Sequence, residues 1–286
     1  MLRFILVIAA VVPLTLLLTP FHILACRYHL RWQRTIPQLY HRLVCALIGV
    51  RIHQVGKPLG HDRPVLMLSN HVSWLDICVI SAVTPAVFVA KSEVATWPVF
   101  GWLARMQRTI FVDRLARQRT GDATKEIGER LRGGDAVILF AEGTSSDGSR
   151  VLPFRSALVG AVHHALGDDA QGIDVQPITV QPMAITYTAF GGLPIGRELR
   201  ERVAWYGDAD LIPHFIGLLA AGAIDVTVSW GDAIATSAAA DRKAITRDAE
   251  QSVRRMSEAA RRAGVKGAYA PQPVAPETIT PAAQPA

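Results

Sequence analysis

Cysteine is scarce in this chain of 286 residues: Cys26, Cys45 and Cys78 are the three present. Three thiols cannot build a disulfide framework, and their spacing matches no zinc or iron–sulfur ligand set. Cys78 reads as a packed core thiol. The histidines are scattered, and His163, His164 and His214 have no ligand partners near them in sequence, so neither a metal nor another cofactor is expected. Charge of one sign is also limited. Thirty basic and 24 acidic residues leave a net +6, an excess that suits a lipid surface and is too small to argue for nucleic acid. Glycine (22) and proline (17) stay near average, which excludes collagen-like and low-complexity chains. No internal repeat occurs. What is abundant is apolar mass. Half of the residues are hydrophobic, which rules out a disordered protein and allows one α/β domain to fill the length.

That apolar mass is concentrated at the start. From Phe4 to Cys26 the chain has no formal charge apart from a possible proton on His22. As a helix at ~1.5 Å per residue this stretch extends roughly 34 Å, enough for a ~30 Å hydrocarbon core. Pro13 and Pro20 interrupt it, which membranes tolerate better than water does. Arg27, Arg31 and Arg34 follow at once and place that flank on the cytoplasmic side, in an inner-membrane anchor. A cleaved signal or lipoprotein site at Ile23-Leu24-Ala25-Cys26, or a buried core helix, are the competing readings. Residues 41–50 form a short apolar helix that either lies in the interface or packs on the core.

Beyond Val50 short apolar runs alternate with helix-length segments. Strands are expected at 65–68, 86–90, 109–112, 136–140, within 175–187, at 202–206 and at 226–230. Helices are expected at 72–83, 94–105, 116–131, 156–166 and 238–263, with a shorter apolar one over 211–224. Gly133-Gly134 closes the 116–131 helix as C-cap glycines do. This alternation predicts an α/β fold, a sheet flanked by helices. The expected division is an anchor over 1–50, a catalytic domain over 51–266 and a disordered Ala/Pro-rich tail over 267–286.

Four short patterns carry chemistry. Asn70-His71-Val72-Ser73-Trp74-Leu75-Asp76 follows a strand, where α/β sheets bind ligands. Histidine can act as a general base near neutral pH, and a carboxylate on its other ring N–H fixes the tautomer. Five residues turn an ideal helix through about 500°, so His71 and Asp76 meet only if His71 lies before the helix begins. The plainer alternative is a helix cap and a solvated acid. Phe140-Ala141-Glu142-Gly143-Thr144-Ser145-Ser146-Asp147-Gly148 also follows a strand and offers hydroxyls and backbone N–H groups to a polar or anionic head group. It has no Gly-x-Ser-x-Gly elbow, which argues against a serine nucleophile, although a simple turn remains open. Phe111-Val112-Asp113-Arg114 ends a strand on an arginine suited to phosphate or carboxylate. Gln181-Pro182-Met183 puts a proline in a strand, which suggests an edge or a bulge.

In this order and spacing the four patterns resemble the lysophosphatidate (1-acylglycerol-3-phosphate) acyltransferase family, over about 51–230. The matching elements are Asn70-His71 with Asp76, Phe111 with Arg114, Glu142-Gly143-Thr144, and Pro182. The resemblance implies a mixed sheet flanked by helices, membrane attachment, and no metal or covalent acyl-enzyme. It implies His71 as the base and Asp76 as its orienter, acting on the hydroxyl of a lysolipid acceptor. The acyl group would come as a thioester of acyl carrier protein or coenzyme A. Arg114, Glu142, Gly143 and Thr144 would bind the head group, with Asn70 shaping the site. Many members read Phe-Pro-Glu-Gly-Thr-Arg; here Ala141 replaces the proline and Ser145 the arginine. The loss of that cation leaves Ser145, Arg150 and Arg155 to serve the acceptor. The run through Leu152-Pro153-Phe154-Arg155 is similar to the lyso-ornithine lipid acyltransferase branch, whose acceptor has a carboxylate and no phosphate. A non-catalytic lipid-binding protein and a lipid hydrolase are the rival functions.

Overall fold

A computed structural model describes residues 1–59, 64–113, 117–162, 178–236 and 241–267. Arg114, His163, His164 and the tail beyond 267 lie outside the described residues. In chain order the elements are α1 (Leu2–Arg27), α2 (Trp32–Ile48), β1 (Val50–Val55), β2 (Val65–Ser69), α3 (Leu75–Val83), β3 (Val87–Lys91), α4 (Phe100–Met106), β4 (Ile110–Val112), α5 (Arg117–Arg132) and β5 (Ala136–Phe140). Then follow β6 (Thr179–Phe190), β7 (Leu193–Pro194), α6 (Arg197–Arg200), α7 (Leu211–Ala221), β8 (Ile224–Trp230), β9 (Ile234–Ala235) and α8 (Arg242–Gly267), the last broken at Gly264.

The sheet is mixed, as expected, in the order β1-β8-β6-β2-β5-β3-β4. The strands β4, β3, β5, β2 and β6 run parallel, whereas β8 opposes β6 and takes β1 as a parallel neighbour. Burial on both faces explains why β2 and β5 read as unbroken apolar runs. Alternation assigns the faces. Val65 and Met67 pack with residues of α2, α3 and α7. Leu66 and Leu68 pack with Ile127 and Leu131 of α5 and Ile245 and Ala249 of α8.

Several expectations needed correction. The helix expected at 72 begins at Leu75, because the preceding backbone N–H groups are held by Asp76 rather than by helical carbonyls. The segment 94–105 is a 3-10 turn (Ser92–Thr96) and then α4, divided at Trp97-Pro98, where proline cannot supply a helical N–H. Residues 202–206 are a turn and an extended stretch rather than a strand, tied down by Trp205 N–H on the Val72 carbonyl. Strand β1 was not foreseen, since Arg51, His53 and Gln54 give it a polar character; Arg51 and His53 reach the buried Asp225 of β8. Pro182 sits in a central strand, but where the partner of β6 changes from β9 to β8, so the missing N–H costs no regular ladder bond.

Helix α1 is long and apolar enough to cross a membrane. Both of its ends are nevertheless fastened to the rest of the protein. Near the start, Arg3 donates to the carbonyl oxygens of Leu219 (2.7 Å) and Ile48 (2.6 Å). Near the end, the buried His22 lies 2.6 Å through Nε2 from the Met106 carbonyl oxygen. These anchor points are roughly 28 Å apart along an α-helix. The helix therefore lies along the domain, beside α2, and Val7, Val44, Cys45 and Ile48 join the same apolar cluster as the sheet. Its other side is bare: Leu2, Leu6, Leu16, Leu17 and Phe21 are each more than half exposed.

Candidate active site

The site forms where the chain leaves the neighbouring strands β2 and β5. Beyond Ser69 four residues, 70–73, belong to neither strand nor helix, and a turn at Trp74 leads into α3; this offset removes the angular conflict between His71 and Asp76. The side chain of Asn70 fixes the exit. Its amide donates to the Ile185 carbonyl oxygen and its oxygen accepts Ile185 N–H, both at 2.9 Å. Asn70 thus takes the place of a strand residue beside β6.

Asp76 is completely buried. One carboxylate oxygen, Oδ2, accepts Val72 N–H at 2.7 Å and Ser73 N–H at 3.1 Å, and lies 2.8 Å from His71 Nδ1. The other, Oδ1, accepts the Tyr187 hydroxyl at 2.6 Å. A buried carboxylate is costly without such partners. Because an ionised carboxylate only accepts, Nδ1 must bear the proton. Nε2 is left with its lone pair and has no hydrogen-bond partner among the described residues. The ring of His71 stacks on Phe140 with centroids 4.0 Å apart, and its side chain keeps 19% of its exposure. Tyr187 was not picked out from the sequence. Burial and the Asp76 charge push its hydroxyl well above the ordinary tyrosine range, so it stays a donor.

The second loop supports the first. Glu142 is buried, and its two oxygens accept His71 N–H (2.8 Å) and Leu152 N–H (2.7 Å). Burial outweighs those bonds and raises its carboxyl from 4.5 to about 7. Ser146 N–H returns to the His71 carbonyl oxygen at 2.9 Å. Gly143, at φ +76°, makes the turn between them in a region that disfavours side chains. Ala141 donates its backbone N–H to the Ser69 carbonyl oxygen at 3.0 Å, a bond that a proline in its place could not make. Thr144 is exposed and Ser145 partly so, both on the open rim. Arg155 is exposed, with its backbone N–H bonded to the Ala141 carbonyl oxygen. No serine hydroxyl bonds the His71 ring among the described residues.

An apolar cavity of about 290 Å³ lies between the α1–α2 pair and the sheet. Trp74, Cys78 and Phe88 form the wall toward the site, and Phe88 stacks on Phe140, the ring beneath His71. Burial, with the Asp76 charge, pushes the Cys78 thiol up to about 12, so it serves as wall rather than nucleophile. Trp74 Nε1–H donates to His214 Nδ1 at 3.1 Å, which closes the cavity against α7. Among the described residues no three His, Cys, Asp or Glu side chains cluster as a metal site would require.

Comparison with known proteins gives this geometry a family. The acyltransferase family profile matches residues 50–186, a span that contains both loops. The lyso-ornithine lipid O-acyltransferase of Brucella abortus is 48% identical over 258 residues, 90% of this chain and 95% of that protein. The chain belongs to the acyltransferase family, and it is an acyltransferase. A lyso-ornithine lipid O-acyltransferase of Rhizobium meliloti is 42% identical over 86% of this chain and 82% of its own length. The 1-acyl-sn-glycerol-3-phosphate acyltransferase of Neisseria meningitidis is 39% identical over a shorter stretch, 44% of this chain and 49% of that protein. The fold agrees with the crystal structure of the 1-acyl-sn-glycerophosphate acyltransferase of Thermotoga maritima, at a TM-score of 0.53 and 20% identity over 86% of this chain and 95% of that one.

Proposed function

We propose that this acyltransferase moves a fatty acyl group from a thioester of acyl carrier protein or coenzyme A to the free hydroxyl of a lysolipid. Lyso-ornithine lipid is the favoured acceptor and lysophosphatidate the second. The observation that carries the mechanism is the 2.8 Å contact between His71 Nδ1 and the fully buried Asp76 carboxylate. It leaves Nε2 basic and unpartnered at the end of β2. In the reaction Nε2 takes the proton of the acceptor hydroxyl as its oxygen attacks the thioester carbonyl. Collapse of the tetrahedral intermediate breaks the C–S bond, and the imidazolium returns the proton to the leaving thiolate. Asp76 stabilises the imidazolium between these steps. Asn70, Glu142 and Gly143 hold the two loops in register, while Thr144, Ser145, Arg155 and Arg114 meet the acceptor.

Membrane attachment fits the same reading. Because α1 is fastened at both ends, its bare apolar side, with Trp32, Leu39 and Leu43 of α2, suits immersion in the plane of the interface. The basic turn after α1 would then face the lipid head groups of the inner membrane from the cytoplasmic side. The cavity beneath the two helices would hold the acyl chain. An assay that offers lyso-ornithine lipid and lysophosphatidate with a labelled acyl thioester tests the proposal. Transfer should fall by ~10²–10⁴ or more in His71→Ala, with the fold retained. A folded variant with wild-type turnover would refute the role of His71, and product appearing as free fatty acid would indicate hydrolysis.

A further inference from the structure

Ser145 supplies no charge where an anionic head group would need one. Two cations reach the same loop from outside the recognised patterns. Arg261 of α8 donates Nη1–H to the Gly148 carbonyl oxygen (3.3 Å) and to Ser257 Oγ (2.9 Å). Arg200, at the end of α6, passes its Cδ within 3.7 Å of where a Cβ on Gly148 would stand. The same position is 3.1 Å from Val72 Cγ1. Gly148, at φ +70°, is thus the thin point between the Arg200 stem and the residue next to His71, with the Arg261 guanidinium on its carbonyl oxygen.

Neither guanidinium forms an ion pair within 4 Å among the described residues. Two acids act on them from a distance: Glu258, which pairs with Arg262 at 3.7 Å, and Asp147, whose carboxylate is already engaged by Ser149 N–H (2.9 Å) and Ser149 Oγ–H (2.7 Å). Burial and then the neighbouring Arg200 charge lower the Arg261 pKa, and the opposing pull of Glu258 and Asp147 does not cancel them, so the two arginines stand close enough to feel one another. Arg150 adds a third cation beside Asp147. Planar guanidinium forks suit carboxylate and phosphate alike.

We propose that Arg200 and Arg261 bind the anionic head group of the acceptor, as carboxylate in an amino-acid lysolipid or as phosphate in lysophosphatidate. The assignment rests on the lysolipid reading above. It places acceptor specificity on α6 and α8, outside the Glu142-Gly143-Thr144 loop.

The test uses the full-length protein. Arg200→Gln is the main variant, because among the described residues the wild-type side chain makes no hydrogen bond whose loss would disturb the fold. With lyso-ornithine lipid or lysophosphatidate, the acceptor KM should rise at least tenfold, with kcat within about twofold and the donor KM unchanged. Arg200→Lys should recover part of the loss. Lyso-ornithine lipid with its carboxylate methylated, and neutral monoacylglycerol, should bind the variant and the wild type equally. An effect confined to one anionic acceptor assigns the site to that head group. Calorimetric binding of short-chain acceptors to His71→Ala, with and without Arg200→Gln, reads the site without turnover, so a failure of the proposed reaction is seen separately. Arg261→Gln should weaken binding further. Wild-type acceptor affinity in Arg200→Gln, or an equal loss with the neutral acceptor, would overturn the proposal.

Discussion

Replacement of Tyr187 by phenylalanine tests how the buried acid is kept. Among the described residues the hydroxyl is the single partner of Asp76 Oδ1, at 2.6 Å, whereas Oδ2 has three donors. Phenylalanine fits the same space and deletes this bond. A hydrogen bond to a charged group contributes about 1.5–3 kcal/mol, and a buried oxygen left without a donor incurs a cost of that order. For a chain of this size, 1 kcal/mol shifts Tm by about 2–4 °C, so Tyr187→Phe should melt roughly 3–12 °C lower. A second readout separates this bond from simple packing. With one donor fewer, the carboxylate draws more strongly on the His71 proton. The acidic limb of the kcat/KM profile should then move to higher pH. Thermal melts and a pH–rate series on the purified variant measure both. If Tm falls while the acidic limb stays in place, Tyr187 is a packing residue. If neither moves, the coupling argued here is wrong.

Asp76→Asn can turn its carbonyl oxygen to the donors of His71, Val72 and Ser73 and its amide to Tyr187, so the fold should hold; kcat should drop at least ~100-fold because the imidazolium loses its counter-charge. Steady-state kinetics on folded protein would expose the error if kcat stayed near wild type. Glu142, raised to about 7, keeps its proton in the folded chain where the unfolded chain has released it. Its contribution to stability is therefore present below about 4.5 and is lost as pH rises to about 7, by up to about 3 kcal/mol. Glu142→Gln should remove that slope, which urea midpoints at several pH values would reveal as a change in the gap between the two proteins. Leu16→Glu with Leu17→Glu places charge on the bare side of α1, and vesicle flotation should show weakened membrane binding with melting unchanged. Undiminished flotation would place the lipid contact elsewhere.

Much of the site was legible because its chemistry is local. His71 and Asp76 are five residues apart, and the strand before them is an unmistakable apolar run. Burial on both faces made β2 and β5 visible as unbroken apolar runs. Tyr187 was hidden because it reaches Asp76 across 111 positions and reads locally as one more strand residue. The roles of Asn70 and Glu142 were also hard to read, since a side chain that bonds backbone looks in sequence like one that bonds substrate. Strand β1 escaped notice because its polar positions answer to partners far along the chain, Arg51 and His53 to Asp225 and Gln54 to the Trp230 indole N–H. The 202–206 segment misled in the opposite sense: Val203 and Ala204 are buried, but in a stretch tied to the loop that carries His71.

The two fastenings of α1 have a consequence for where the protein can work. A helix that must cross a bilayer has to match its thickness, and any mismatch is relieved by tilting or by deforming the lipid. A helix clamped by Arg3 at one end and His22 at the other escapes that requirement. Turnover should then be indifferent to whether the host membrane is thick or thin, and should respond instead to how loosely its surface is packed.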